Sequence, residues 1–160
     1  MSGGSDFLFV YGTLMRGLPL HHLIAGRADF VEAGTAGGGL LDLDGYPGAV
    51  QDHGGLIRGE VYRFSAPGLL AVLDREEGYD PAAEDRSLYL RRQTRVHLTG
   101  GGQVTAWIYW YNGRRRRAVP ISGGDYRQHL SAQRLHRSRS FFTSGRVLHG
   151  AAESSRPRQG

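Results

Sequence analysis

The sequence predicts an α+β domain in which strands predominate and a few short helices join them. Runs of apolar, aromatic and β-branched residues recur at 7–11, 56–64, 88–98 and 104–111, and such runs favour strands. Both alternating faces of the last run are uncharged. One face is therefore expected to fill a barrel and the other to pack on a helix or line a pocket. A length of 160 residues suits one domain with a sizeable core.

The first strand, Phe7 to Tyr11, leads directly into the glycine turn Gly12 to Gly17. A glycine at the end of a strand lets the backbone approach a ligand closely. Successive exposed N–H groups in such a turn form a concavity suited to an anion. The turn is therefore a candidate anion site, although a strand that simply ends in a glycine turn is the alternative.

Short elements separated by glycine occupy residues 20–55. Leu20 to Ala25 is a short helical candidate in which His21 and His22 point in different directions, and no third ligand accompanies them at useful spacing. We interpret both as surface residues and predict no metal site. Glycines within the strand-like segment 28–43 indicate bulges or barrel corners. Turns at 45–48 and 52–55 flank a further strand at 49–50.

One short helix is predicted between Ser65, which is suited to cap its start, and Gly78, which can take the left-handed conformation that ends a helix. Apolar residues on one side should face the core: Leu69, Leu70, Val72 and Leu73.

The same side of this helix carries Glu76 and Glu77, whereas Asp74 and Arg75 should point away. A carboxylate on the inward side of a helix C-terminus loses water and lies at the negative end of the helix dipole. Both effects raise its pKa toward the range in which it can accept and return a proton. Helical geometry does not choose between the two glutamates. The alternative is that both end a turn in solvent.

Basic charge is concentrated in the C-terminal part of the chain. Residues through Gly113 hold nine Arg and thirteen acids, a balance of −4, and residues from Arg114 onward hold eleven Arg and two acids, a balance of +9. Arg114 to Arg117 form an arginine run in a loop, and a last short helix should follow the turn at 121–127. Residues 132–160 are predicted to be an Arg-rich tail that is disordered or loosely docked, and residues 1–6 a flexible N-terminus.

Several classes of site are excluded or not expected. The chain has no cysteine, which excludes disulfides and thiolate metal sites. No apolar run approaches the length of a membrane span, and the first residues lack the basic start and apolar stretch of a signal peptide. We therefore expect a cytoplasmic protein without a membrane partner.

Four motifs together resemble the gamma-glutamylcyclotransferase-like family, which includes the gamma-glutamylamine cyclotransferases and the AIG2-like proteins. In order they are Phe9-Val10-Tyr11-Gly12-Thr13-Leu14, Gly45-Tyr46-Pro47, Leu73-Asp74-Arg75-Glu76-Glu77-Gly78-Tyr79 and Tyr89-Leu90-Arg91-Arg92. A weaker fifth motif, Ser122-Gly123-Gly124-Asp125-Tyr126, has two glycines where the family usually has one before the Asp. The predicted family domain is 7–131.

The resemblance implies a small mixed β-barrel with peripheral short helices. It also implies a reaction without a cofactor, in which a γ-glutamyl group cyclises to 5-oxoproline and releases an amine or amino acid. The family's catalytic glutamate directly precedes the glycine and corresponds to Glu77. The positions that match its substrate-binding motifs are Tyr11, Gly12, Thr13, Leu14, Tyr46 and Tyr89.

Three points stay open at this stage. The released amine is not specified by the sequence. We hypothesise that the polar loop Tyr79 to Ser87, which should be exposed and mobile, closes over the substrate as a lid, and a connector with no role is the alternative. A rival interpretation is a non-catalytic binding protein whose Arg-rich part engages nucleic acid or another polyanion.

Overall fold

Eight strands form one sheet in a computed structural model that describes residues 4–138. In chain order they are β1 (Phe7–Val10), β2 (Ala28–Gly37), β3 (Gly39–Asp42), β4 (Pro47–Val50), β5 (Leu56–Phe64), β6 (Tyr89–Leu98), β7 (Gln103–Tyr111) and β8 (Val119–Pro120). The bounds of β1 to β7 lie within a few residues of the predicted strands, whereas β8 is not predicted from the sequence. The predicted segment 28–43 is divided at Gly38, whose φ of 143° separates β2 from β3.

Five of these strands close into a barrel in the order β1-β5-β2-β6-β7, and β7 returns to β1. The closing contact is parallel, with Leu8 opposite Trp107, whereas the other four pairings are antiparallel. Strands β4, β3 and β8 extend the sheet beyond β7. The predicted α+β class and mixed β-barrel are thus confirmed, as is the predicted hairpin of β6 and β7.

The barrel interior is filled by large apolar side chains that are almost fully buried, among them Ile57, Val61, Val96 and Ile108. Gly59 allows β5 to lie close to β1, because a Cβ at this position would lie within 2.7 Å of the Phe9 ring. On β7, one face fills the barrel with Ile108, and the other face carries Tyr109. That second face meets the helix that follows β5, as the alternation predicts.

The helix α1 (Leu69–Glu77) ends as predicted, at Gly78 with a φ of 67°. Its start differs from the prediction, since the capping position is Gly68, with no side-chain cap, rather than Ser65. Leu69 and Leu73 are buried against the barrel. A second helical segment occupies residues 126–138 and follows the predicted turn. Short 3-10 helices lie at His21–Leu23, Glu84–Arg86 and Ser122–Gly124.

The chain divides into two compact units, Met1–Tyr126 and Arg127–Gly160. Ser5 and Asp6 are assigned from the sequence to a flexible N-terminus. The Ser5 carbonyl accepts a hydrogen bond from the Trp107 indole N–H, and the Asp6 carbonyl accepts one from the Phe64 backbone N–H. The helical segment runs past the predicted tail boundary at 132, and the rest of the predicted Arg-rich tail lies outside the described residues. Among residues 4–138, no helix is long and apolar enough to span a membrane.

Candidate functional site

A cavity of about 410 Å³ opens where the end of β1, the glycine turn after it and the end of α1 meet. Its volume lies in the range of small-molecule sites. Most of its lining is apolar or aromatic, and two carboxylates enter it from α1. The lining residues are Phe9, Val10, Tyr11, Gly12, Thr13, Leu14, Leu20, Tyr46, Pro47, Glu76, Glu77, Leu88, Tyr89 and Tyr109.

All the residues proposed from the sequence as catalytic or substrate-binding line this one cavity. They come from positions 11–14, 46, 77 and 89, and the fold brings them together. Sequence reasoning did not single out Tyr109, Leu88, Leu20 or Pro47 as site residues. Tyr109 had a signal, because the alternation in β7 places it on the face expected to line a pocket or pack on a helix. The roles of these residues stay predictions.

Glu77 is the last residue of α1 and is held between buried Leu73 and left-handed Gly78. Its carboxylate makes no hydrogen bond or ion pair with any residue in the described range 4–138. Burial raises the pKa of Glu77 to about 7, and the nearby negative charge of Glu76 contributes to this increase. Near neutral pH, this carboxylate is therefore able both to accept and to donate a proton.

The glycine turn lines the cavity with residues 12–14 and leaves their backbone N–H groups without an acceptor among the described residues. Several of its carbonyls are already engaged: that of Gly12 accepts from the Met15 N–H, that of Thr13 from the Leu20 N–H, and that of Leu14 lies 2.9 Å from His21 Nδ1. By contrast, the N–H groups of residues 12–14 donate to nothing in the part of the chain that the structure describes. The turn therefore has free donors suited to an anionic group.

Gly12 is required by packing against the turn that carries Tyr46. A Cβ on Gly12 would lie 2.5 Å from Pro47 Cγ, which is too close for any side chain. The absence of a side chain lets the glycine turn and Pro47 form adjoining walls of the cavity. This is the close approach that the sequence predicts for Gly12, although here the neighbour is a protein side chain.

Tyr11 and Tyr89 are held in place by hydrogen bonds and form fixed parts of the cavity wall. The Tyr11 hydroxyl donates to the carbonyl of Tyr109 at 2.6 Å and accepts from the Ala49 N–H at 3.2 Å. The Tyr89 hydroxyl donates to the carbonyl of Pro47 at 2.7 Å. Burial raises the pKa of both phenols, so they stay neutral. Tyr46, which is 40% exposed, lies at the surface of the protein.

Asp74 does not point away into solvent, which corrects the sequence prediction. Its carboxylate accepts two hydrogen bonds from Arg91, at 2.8 and 3.2 Å, and one from the Tyr109 hydroxyl at 2.6 Å. The Arg91 guanidinium also stacks over Trp107, 4.5 Å from the ring centroid. These contacts fasten α1 to β6 and β7 one turn before Glu77.

The loop after α1 is anchored at several points. Glu84 accepts two hydrogen bonds from Arg92, at 2.7 and 2.8 Å, and one from the Tyr79 hydroxyl at 2.9 Å. The Asn112 amide donates to the carbonyls of Glu84 and Ser87, both at 3.0 Å. This network is not what a mobile lid would have, and it favours a fixed connector that leads to Leu88 in the cavity lining.

Residues 8–128 match the model of the family described as gamma-glutamyl cyclotransferase, AIG2-like. The family resemblance inferred from the motifs is thereby confirmed. A search of curated proteins found no significant match.

Solved structures share the fold. The uncharacterized protein PH0828 from Pyrococcus horikoshii is 23% identical with a TM-score of 0.59, and the alignment covers 82% of this chain and 98% of that one. YkqA from Bacillus subtilis is 28% identical with a TM-score of 0.62, over 81% of this chain and 42% of YkqA, so this chain spans less than half of YkqA. A gamma-glutamyl cyclotransferase is 18% identical with a TM-score of 0.54, over 74% of this chain and 73% of the other.

Proposed function

Because the chain belongs to the gamma-glutamyl cyclotransferase, AIG2-like family, we propose that it converts a γ-glutamyl group into 5-oxoproline and releases the attached amine or amino acid. The observation that carries the proposal is the Glu77 carboxylate, which lines the cavity, has no hydrogen-bond or ion-pair partner among residues 4–138 and has a pKa raised to about 7. A proton acceptor with these properties suits the reaction.

The reaction is an intramolecular acyl transfer. The α-nitrogen of the glutamyl group attacks its own γ-carbonyl carbon, a C–N bond forms within the new ring, and the C–N bond to the leaving amine breaks. At neutral pH the α-amine is an ammonium ion and has no lone pair with which to attack. Glu77 accepts a proton from it before the attack, and the same nitrogen loses a second proton as the lactam forms. Glu77 passes these protons to the departing nitrogen, which leaves as an ammonium ion at neutral pH. All atoms of the substrate are found in the two products, and no co-reactant is consumed.

The glycine turn has the properties needed to orient the substrate. Free N–H groups at residues 12–14 suit the α-carboxylate of the glutamyl group. Fixing that end would bend the chain so that the α-nitrogen lies near the γ-carbonyl. Holding reacting groups in a near-attack geometry is a major source of rate acceleration. The neutral, hydrogen-bonded walls at Tyr11 and Tyr89 keep the cavity rigid.

The test is release of 5-oxoproline from a small panel of γ-glutamyl amino acids and γ-glutamyl amines. Two control compounds separate the proposed roles. An α-glutamyl isomer has the same composition, but its leaving amine is not attached to the γ-carbonyl, so it should release none. A 4-aminobutyryl amide keeps the amine and the carbonyl but lacks the α-carboxylate, so it would cyclise to 2-pyrrolidinone. Release of its amine should be far slower if the glycine turn anchors the α-carboxylate.

Turnover of at least one γ-glutamyl compound, with none of the α-glutamyl isomer, would support the proposal. Equal rates with and without the α-carboxylate would contradict the role of the glycine turn while leaving cyclisation itself intact. Absence of 5-oxoproline from every γ-glutamyl compound would contradict the proposed function.

A further inference from the structure

A second, smaller cleft adjoins the candidate active site. It has a volume of about 210 Å³ and shares Tyr46 with the larger cavity. Its lining residues are Leu43, Asp44, Tyr46, Tyr111, Arg114, Arg116, Arg117 and Ala118. Three arginines of the run that the sequence singles out are thus collected on one cleft beside the cavity.

These three arginines are available to a ligand. Arg114, Arg116 and Arg117 are exposed, and their guanidinium groups make no hydrogen bond or ion pair with the residues that the structure describes. Arg115 differs, because its guanidinium donates to the Asp52 carboxylate at 2.9 Å. Arg115 therefore holds the loop to Asp52, whereas the other three arginines line the cleft.

The loop is held in place next to Tyr46. The Tyr111 hydroxyl donates to the carbonyl of Arg114 at 2.7 Å, and the Ala118 N–H donates to the carbonyl of Arg115 at 3.1 Å. Tyr46 and Tyr111 both line the cleft. Tyr46, Tyr111 and the arginine loop therefore form a continuous path out of the cavity.

The charges along this path favour an anion. Asp44 is the acidic residue among those that line the cleft, so three guanidinium groups leave an excess of positive charge. On the wall that α1 contributes, Glu76 lines the larger cavity and not the cleft. Its carboxylate disfavours an anionic group on that wall and leaves the Tyr46 side as the favourable exit. Guanidinium groups bind phosphate and carboxylate oxygens through two parallel hydrogen bonds.

We propose that the leaving group of the substrate is anionic, and that its phosphate or carboxylate extends past Tyr46 to be bound by Arg114, Arg116 and Arg117. This inference rests on the proposed function, because it assigns the glutamyl end to the glycine turn and the released amine to the remainder of the cavity. The substrate class is therefore a γ-glutamyl conjugate of an amine that bears at least one negatively charged group.

The experiment compares matched pairs of substrates. γ-Glutamyl-O-phosphoethanolamine against γ-glutamyl-ethanolamine tests phosphate, and γ-glutamyl-β-alanine against γ-glutamyl-β-alaninamide tests a carboxylate, because the second compound of each pair has an uncharged leaving group. For each pair the measured quantity is the ratio of kcat/KM for the anionic compound to that for its neutral partner. The pair with the larger ratio identifies the preferred anion, and salt should reduce that ratio.

The variant is the triple substitution Arg114→Ala, Arg116→Ala and Arg117→Ala, and its control is Arg95→Ala, an exposed arginine of β6 that does not line the cleft. We expect the triple variant to lower the anionic-to-neutral ratio about tenfold, as loss of charged hydrogen bonds would, and the control to leave it unchanged. Lysine at the three positions should restore part of the ratio, because the charge remains. Thermal melting of each variant verifies folding, and single Arg116→Ala serves if the triple variant does not fold.

Direct binding separates failure of this inference from failure of the proposed function. O-phosphoethanolamine alone is titrated into wild-type protein and the triple variant by calorimetry. Binding to wild type but not to the variant, with no cyclisation of any compound, would support the cleft and contradict the proposed function. Cyclisation with the same anionic-to-neutral kcat/KM ratio in wild type and in the triple variant would contradict the proposed role of the cleft. Loss of single-stranded oligonucleotide binding in the triple variant, with the ratio unchanged, would instead assign these arginines to nucleic acid.

Discussion

Two carboxylates one turn apart on the same helix have opposite environments. Asp74 accepts hydrogen bonds from Arg91 and the Tyr109 hydroxyl, at distances from 2.6 to 3.2 Å. Glu77 lines the cavity and has no partner in the described range. Both belong to α1, and both are largely covered by neighbouring elements.

The difference shows that partners, rather than burial alone, decide what a carboxylate does. A guanidinium and a phenol compensate the charge of Asp74, so it can serve as a permanent attachment of α1 to the barrel. The charge of Glu77 has no such compensation, and burial raises its pKa to about 7. Attachment of the helix at Asp74 fixes the position from which Glu77 reaches the cavity. The predictions below test whether Asp74 attaches the helix and Glu77 transfers protons.

Replacing Glu77 by Gln should lower the rate of 5-oxoproline formation by about 10² to 10⁴-fold, the range expected for loss of a general acid–base group. Glutamine keeps the shape of the side chain and removes its capacity to accept a proton. Turnover of the best γ-glutamyl substrate is measured alongside that of Glu76→Gln, which should remain active. An inactive Glu76→Gln with an active Glu77→Gln would reverse the assignment.

The same substitution should make the protein more stable at neutral pH. The pKa of Glu77 is about 7 in the folded protein, whereas an unperturbed glutamate side chain has a pKa of 4.5. The folded state therefore binds more protons between these values, and the wild-type free energy of unfolding falls as pH rises through this window. The full difference corresponds to roughly 3 kcal/mol. Denaturant unfolding of wild type and Glu77→Gln at pH 4, 5.5 and 7.5 measures it.

In that comparison, the advantage of Glu77→Gln should be small at pH 4, increase with pH and level off above pH 7. A constant difference between the two proteins would mean that Glu77 has no raised pKa in solution. An advantage that shrinks with rising pH would show that Glu77 is stabilised as an anion, as Asp74 is.

Replacing Asp74 by Asn should cost about 1–3 kcal/mol of stability, because Arg91 and Tyr109 lose a charged acceptor in a partly buried contact. If Asp74 positions Glu77, kcat should fall while KM changes little. The control is Arg75→Gln, at the next position on the same helix, where the side chain is exposed. Urea unfolding gives the stability, and steady-state kinetics give the two constants. A stability loss with unchanged kcat would limit Asp74 to a structural role.

Replacing Tyr109 by Phe should have the smallest effect, about 0.5–1.5 kcal/mol, because it removes one hydrogen bond to Asp74 and keeps the ring in the cavity wall. The double variant with Asp74→Asn should lose less stability than the two single variants added together, since both remove the same contact. Chemical unfolding of the four proteins measures the coupling. Strict additivity would contradict a direct hydrogen bond between the two side chains.

Most of the local elements, and the residue at which α1 ends, could be predicted from the sequence. The alternation of uncharged residues along 104–111 predicts a strand with one face in a barrel, and Tyr109 lies on the other face. Gly78 predicts the end of α1 because a left-handed residue is most favourable as glycine. Helical spacing also directs Glu77 inward. Each of these inferences depends on residues close together in the chain, and the structure agrees with each.

Only the tertiary structure decided which distant residues meet. The partners of Asp74 are Arg91 and Tyr109, separated from it by 17 and 35 positions, so helical periodicity placed Asp74 in solvent. Anchoring of the loop after α1 through Arg92 and Asn112 was missed for the same reason. Closure of β1 on β7 and the arginine cleft beside Tyr46 also need the assembled barrel. Local periodicity states which way a side chain leaves its own element, whereas its charge, mobility and role depend on what the rest of the chain packs against it.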